Sequence, residues 1–191
     1  MQNITKTPRA LALVGMPGAG KTLCARHLEE QGFYQFRFGS IVVNEVARRG
    51  LELTPENERI VREEFRRVEG MAAIAQRALP HLKEALHTHP NIVIDGLYGF
   101  SEYKMLIENL SATLIVVAIT APRWQRYERL SSRPERPLTA EEARLRDFQE
   151  IENLEKGGPI AIADYTLLND GDKAALKMAL DQLLAELVFQ P

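Results

Sequence analysis

Residues 15 to 22 read Gly15-Met16-Pro17-Gly18-Ala19-Gly20-Lys21-Thr22, directly after the apolar run Ala10-Leu11-Ala12-Leu13-Val14. A glycine-rich turn closing on Lys-Thr suits one chemistry. The glycines let successive amides turn onto phosphate oxygens, and the helix that follows offers the positive end of its dipole. The backbone of Gly15, Pro17, Gly18, Ala19, Gly20 and the residues into Leu23 would line the phosphates. Lys21 would reach the β- and γ-phosphates, and Thr22 would ligate Mg²⁺. The cofactors expected are therefore ATP and Mg²⁺.

A second candidate stands at the end of Ile92-Val93-Ile94-Asp95-Gly96, where a strand delivers a carboxylate to the sheet edge at which open α/β folds bind ligands. Asp95 is expected in the Mg²⁺ shell, with a role as base left open. Between residues 123 and 146 stand seven arginines (123, 126, 129, 133, 136, 144 and 146) against four glutamates, with no lysine. The guanidinium fork matches phosphate oxygens, and phosphoryl transfer depends on positioning those oxygens and neutralising their charge. Arg126, Arg129 and Arg133 are spaced to share a helix face, as a lid over the loop would require. Arg123 and Arg136 fit a solvated face equally well, and Trp124 and Tyr127 are expected to pack that helix on the core. A second stripe, Arg59, Arg62 and Arg66, is a candidate grip for an anionic acceptor, although Glu58, Glu63 and Glu64 beside it also fit a mixed-charge exposed helix. His81, His87 and His89 have no cysteine or carboxylate at ligand spacing, which argues against a metal site there.

Positioning these groups requires alternating strands and helices, the pattern of βαβ units and a parallel sheet. Strands are expected at 10–14, 33–38, 91–94, 114–120 and 165–168, and a helix from Thr22 to Glu30. The fold class predicted is a three-layer α/β/α sandwich around a five-stranded, mainly parallel sheet. The chain, 191 residues long, reads as a single domain. About fifty residues separate the second and third strands, more than one crossover needs, so a helical acceptor-binding insert is expected at about 39–88. There Thr54-Pro55 caps a helix with the stripe Val61, Phe65, Val68 facing inward, and Pro80 should break or kink the following helix, 71–88. Thr139-Ala140-Glu141-Glu142 is a capping box that starts another helix, which Gly157-Gly158 should end, leaving a short lid at about 131–139.

Composition narrows the partners. A formal net charge of −2 gives no global attraction to nucleic acid or to anionic membranes. No stretch has the roughly eighteen apolar residues of a membrane span, and the lone Cys24 fits a packed residue in a reducing compartment. The expectation is a soluble, cytoplasmic protein, monomer or homodimer, whose partner is a small anionic, nucleotide-like molecule.

These motifs together resemble the nucleoside-monophosphate-kinase branch of P-loop proteins, most closely the adenylate-kinase-related group, over nearly the whole chain. Gly15 to Thr22 resembles the family loop, Ile94-Asp95-Gly96 its Leu-Asp-Gly strand end, and Glu128-Arg129-Leu130-Ser131-Ser132-Arg133 its lid entry. Arg144-Leu145-Arg146-Asp147 is similar to the Arg-x-Asp segment after the lid. Ala163-Asp164-Tyr165 through Asn169-Asp170-Gly171 resembles the last strand and base-contacting loop, as in dephospho-coenzyme A kinases. The resemblance implies that Arg129 lies against the adenine and that Arg133 with Arg144 or Arg146 holds the transferred phosphate. It also implies that the backbone of Asn169 to Gly171 borders the base. The departures fall on the acceptor side: Asp95-Gly96 is followed by Leu97-Tyr98-Gly99 instead of Phe-Pro-Arg, and Gly39-Ser40-Ile41-Val42-Val43-Asn44 lacks the acceptor-helix aspartate and arginine. The Asp-x-Asp of dephospho-coenzyme A kinases is missing as well. Either Arg48, Arg62 or Arg66 substitutes, or the acceptor is not an ordinary nucleoside monophosphate. The residues thus predict a small-molecule kinase, with a nucleotide-dependent switch lacking a productive acceptor site, or a dephospho-coenzyme A kinase-like enzyme, as the alternatives. A GTPase would need an Asn-Lys-x-Asp motif, and a ring-forming ATPase an Asp-Glu after the third strand.

Overall fold

Burial explains the strands. Ala10, Leu11, Ala12 and Leu13 are fully buried, as residues of a central strand covered on both faces must be, so the strand reads as a continuous apolar run. In this computed structural model, which describes residues 8–134 and 136–191, that strand is β1 (Arg9–Val14). It is followed by α1 (Lys21–Glu30), β2 (Tyr34–Arg37), α2 (Gly39–Arg48), α3 (Pro55–Glu69), α4 (Ala73–Thr88) and β3 (Asn91–Asp95). Then come α5 (Phe100–Asn109), β4 (Thr113–Thr120), α6 (Arg123–Ser131), α7 (Ala140–Leu154), α8 (Gly157–Ala161), β5 (Tyr165–Leu168) and α9 (Lys173–Glu186).

The five strands run in the order β2-β3-β1-β4-β5, and every pairing is parallel. Successive residues of β1 serve opposite layers. Ala10, Ala12 and Val14 join Phe38, Val46, Leu82 and Leu106 on the side of α2 to α5, and Leu11 and Leu13 join Leu28, Leu176 and Leu180 on the side of α1 and α9. The α/β/α fold follows from that division. Cys24 lies in the second core half, where burial pushes its thiol up to about 12.

Connections leave β1 toward β2 on one side and toward β4 and β5 on the other, so the carboxyl end of β1 is the point at which such sheets open a ligand crevice. Leu13 pairs with Asp95, and Asp95 with Arg37. The amide of Asn169 extends the β4–β5 pairing by donating to the Thr120 carbonyl at 2.7 Å. Loop, carboxylate and last-strand asparagine therefore converge on one edge.

The interval between β2 and β3 holds α2, α3 and α4. Thr54 caps α3 by accepting from the Asn57 amide at 3.2 Å, with Pro55 in the first turn. Of the expected apolar stripe Val61 and Phe65 are buried, but Val68 is 65% exposed. Only the first two turns of the stripe face the core.

One expected helix end falls elsewhere, and Pro80, expected to break or kink its helix, does not break it. Pro80 lies inside α4 without ending it. A mid-helix proline removes a hydrogen bond and costs about 3 kcal/mol, but Ala75, Ala78, Leu82 and Ala85 of the same helix are buried against the sheet, and that packing holds the helix through the proline. The capping box at Thr139 forms, with the Glu142 carboxylate accepting from the Thr139 amide at 2.7 Å and Thr139 Oγ1 from the Glu142 amide at 3.2 Å. Its helix, however, ends at Leu154 because Glu155 takes the left-handed conformation, at φ 54°. Gly157-Gly158 instead open α8. Glycine is needed at 158 for space, since a Cβ there would stand 2.6 Å from Phe100 Cβ. Residue 135, inside the expected lid, lies outside the described residues.

Gly158→Ala is therefore expected to destabilise the protein by about 1–3 kcal/mol through overpacking. Gly157→Ala, where a Cβ meets nothing within 4 Å, should fall within about 1 kcal/mol of wild type or above it. Urea unfolding of the two variants separates close approach from glycine entropy.

Candidate active site

The loop after β1 is held from outside by its carbonyls. Arg126 Nη1 donates to the Pro17 carbonyl at 3.0 Å, and Asn169 Nδ2 to that of Ala19 at 2.7 Å. Arg129 Nη1 lies 3.5 Å from that of Gly18. In a trans peptide the amide points opposite to the carbonyl, so the Gly18 and Gly20 amides turn away from these anchors. The chain passes too close to its neighbours for side chains: a Cβ on Gly18 would lie 2.7 Å from the Arg126 carbonyl oxygen, and one on Gly20 2.4 Å from Asn169 Nδ2. The result is an amide-lined turn at the N-terminus of α1, a fit for phosphate. Thr22 is exposed in the first turn of α1, and Leu23 packs against the core.

Lys21 bends back onto its own loop, donating to the carbonyls of Gly15 at 2.6 Å and Met16 at 3.2 Å. Burial lowers its pKa to about 7, and Lys156 and Arg146 add to that while Glu150 and Asp95 oppose it. Asp95, half-buried at the end of β3, has its carboxyl raised by burial, with Arg37 and Lys21 pulling the other way. Thr22 and Asp95 are the oxygen groups that would hold Mg²⁺, an ion that takes one or two protein ligands beside phosphate oxygens and water.

Over the loop lies α6. Arg126, expected to share a loop-facing side of the helix with Arg129 and Arg133, is 7% exposed and makes a two-pronged pair with Asp147 of α7, at 2.9 and 2.7 Å. Tyr127 adds its hydroxyl to the same carboxylate at 3.2 Å. Trp124, expected in the core, is 65% exposed: the buried face of α6 carries Arg126 and Leu130 instead. Arg129 Nη2 reaches the Asn169 carbonyl at 3.0 Å, and Gln125 Nε2 the Asp170 carbonyl at 2.9 Å. Together with Gly171, just before the Asp172 cap of α9, these groups border one side of the loop.

On the other side gather Arg133, Arg146, Glu150 and Lys156. Arg146 Nε donates to Glu150 at 3.0 Å, and the buried Lys156 ammonium pairs with the second oxygen of that carboxylate. Lys156 also stands 4.7 Å above the Tyr98 ring. Burial, then Arg146, lowers the pKa of Arg133, while Glu150 works the other way. Lys156 and Glu150 carried no signal in the sequence beyond a lone lysine between Lys104 and Lys173 and an Arg-x-x-x-Glu spacing. Arg144 points elsewhere, 3.4 Å from the exposed Glu141.

Of the three arginines offered as acceptor contacts, Arg48 pairs with Glu45 at the surface, at 2.7 Å, and Arg62 lies 3.9 Å from Glu58. Arg66 turns inward. Its side chain is 11% exposed and stands 3.9 Å from Glu102 Oε1. Arg66 Nε and Glu102 Oε1 have no hydrogen-bond partner among the described residues, whereas Glu102 Oε2 accepts from the amides of Tyr98 and Gly99 at 2.9 and 3.1 Å. Burial raises the Glu102 carboxyl despite those bonds and lowers the Arg66 guanidinium.

A family model described as "AAA domain" matches residues 11–155. A UPF0200 protein of Thermococcus kodakarensis is 35% identical over 182 residues, covering 92% of this chain and 98% of the relative. The chain belongs to the UPF0200 family. Among solved structures, TT1252 from Thermus thermophilus is similar with a TM-score of 0.68 at 21% identity, covering 95% of this chain and 99% of that one. A shikimate kinase from Acinetobacter baumannii in complex with shikimate is similar with a TM-score of 0.55 at 17% identity, covering 96% and 94%. At such identities the likeness speaks for the fold, which is that of P-loop kinases. In this UPF0200 chain the span matched by the family model takes in the phosphate loop, Asp95, Arg129, Arg133 and Arg146, and it stops at the residue before Lys156, short of Asn169.

Asp147→Asn leaves the Arg126 guanidinium buried without its counter-charge, and breaking such a pair costs about 3–5 kcal/mol. Chemical denaturation should show a loss of that size. Asn153→Ala, at an exposed position of the same helix, should change stability by less than about 0.5 kcal/mol.

Proposed function

We propose that this chain is an ATP- and Mg²⁺-dependent small-molecule kinase that transfers the γ-phosphoryl group to an anionic, nucleotide-like acceptor. The observation that carries the proposal is the convergence of basic side chains from four places, Lys21 of α1, Arg133 after α6, Arg146 of α7 and Lys156 before α8, around one phosphate-binding loop. A module that only holds a nucleotide needs fewer charges. Transfer needs them, because the leaving, transferred and attacking oxygens all carry charge in the transition state.

In this scheme the Gly18 and Gly20 amides and Lys21 hold the donor phosphates, and Arg129 lies against the base with Asn169 and Gly171 at its edge. Bound by Thr22 and Asp95, Mg²⁺ would supply charge neutralisation across the β- and γ-phosphates. An acceptor oxygen bonds to the γ-phosphorus as the bond to the β–γ bridging oxygen breaks, and Arg133, Arg146 and Lys156 offset the charge on the group in transit. Arg66 is the acceptor contact: a buried guanidinium with an unpaired N–H costs free energy, and an anionic acceptor beside Tyr98 would satisfy it. The lid over the loop excludes water, which protects the donor from hydrolysis.

Phosphorus NMR tests the proposal with Mg-ATP and pooled nucleoside monophosphates, nucleosides, dephospho-coenzyme A and shikimate. A phosphorylated product is expected, with its rate lowered about 10²–10³-fold in Lys21→Ala, as for loss of one transition-state donor. Arg66→Met should raise the acceptor KM while leaving ATP affinity unchanged. ATP that stays intact, or gives only free phosphate whichever acceptor is present, would replace the kinase with a nucleotide-dependent switch.

A further inference from the structure

One flank of α7 is built like an interface. At 100° per residue, the helix buries Ala143, Asp147 and Glu150 and turns Arg146 toward the phosphate site. On the other flank Leu145, Phe148 and Ile151 are 47%, 50% and 49% exposed. Three large apolar side chains in one row, within an arc of roughly 120°, are unusual on a helix whose remaining exposed positions are mostly charged. The row is bracketed by Arg144 at one end and Glu152 at the other. Arg144 has only a 3.4 Å contact with the exposed Glu141, and Glu152 forms no ion pair among the described residues.

The pattern is symmetric about Phe148. Leu145 and Ile151 lie three residues to either side, and Arg144 and Glu152 four to either side. A two-fold axis through Phe148 that sets α7 antiparallel to its copy brings Phe148 onto the partner's Phe148. It brings Leu145 onto the partner's Ile151, and Arg144 onto the partner's Glu152, each pairing except the first occurring twice. That is the self-complementarity an isologous interface demands. Opposite charges at the ends of an apolar row also fix the antiparallel register, as like charges would meet if the helices ran parallel. Glu155, next on the same flank, is turned away and accepts from the Ser101 amide at 2.7 Å.

We propose that this flank of α7 is a homodimer interface in which two copies of the chain pack antiparallel about Phe148. The occupant is a second copy because the chain itself carries a surface of inverted charge order and identical spacing that matches the row. The contact leaves the flank that bears Arg146 open to the phosphate site.

Sedimentation velocity of the full chain over rising concentration should show the mass move from one chain to two. Phe148→Glu and Arg144→Glu should each hold it at one chain. Because both residues are exposed, circular dichroism should show both variants folded. The double variant Arg144→Glu/Glu152→Arg should restore the dimer, which a general effect on solubility or folding would not do. Under mild oxidation Phe148→Cys should cross-link two chains, while Met178→Cys, at a 65% exposed position of α9, should not. A wild type of one-chain mass at every concentration, a dimer indifferent to Phe148→Glu, a charge swap that fails to restore it, or equal cross-linking at both cysteines would each overturn the proposal.

Discussion

The buried pair between Arg126 and Asp147 ties together everything that must move or hold still around the phosphate loop. The guanidinium donates twice to the carboxylate and once to the Pro17 carbonyl, so a single side chain fixes the outer face of the loop, α6 and α7. A charge taken out of water tolerates little misplacement, because each lost bond leaves a polar atom unsolvated. The pair therefore converts a pliable glycine turn into a template of set shape. Asn169 performs the same service from the opposite side without a charge, which leaves the loop gripped by α6 and by the end of β5.

The proposed acceptor side is organised differently. There Glu102 caps the start of its own helix with one oxygen and faces Arg66 with the other, at a distance too long for a hydrogen bond. The two halves of the proposed site are thus unequal in tension: the loop side is tied by internal bonds, and the Arg66 side holds a facing pair that is not closed. Tyr98 stands between them, with Lys156 on its ring, so the residues that replace the arginine usual after Asp-Gly bring a cation to the same region from another part of the chain.

What the sequence disclosed follows the range of the interactions concerned. The strands were readable because β1, β3 and β4 are covered on both faces and so spell unbroken apolar runs. The phosphate loop was readable because its function is local, contained in eight consecutive residues. The Arg126–Asp147 pair was not legible because the partners lie 21 residues apart, and nothing in the spacing of α6 distinguishes an arginine aimed at a carboxylate from one aimed at a ligand. Trp124 was misjudged, since an aromatic residue is expected inside and a paired arginine took that place. Pro80 and the Gly157-Gly158 pair failed as punctuation for related reasons. Packing overrode the proline, and the glycines serve the close approach of Phe100 while Glu155 ends the helix.

Lys21 rests on loop carbonyls, Arg129 on Asn169, and Arg146 and Lys156 share Glu150. Each of these four cations already has an oxygen of the protein's own. A ligand bearing one phosphate only exchanges one such bond for another and gains little. A polyphosphate replaces several in a single event, and the freed carbonyls and carboxylate then face solvent or metal. Under the proposed function the loop is thereby a threshold device, answering to the number of charges delivered together.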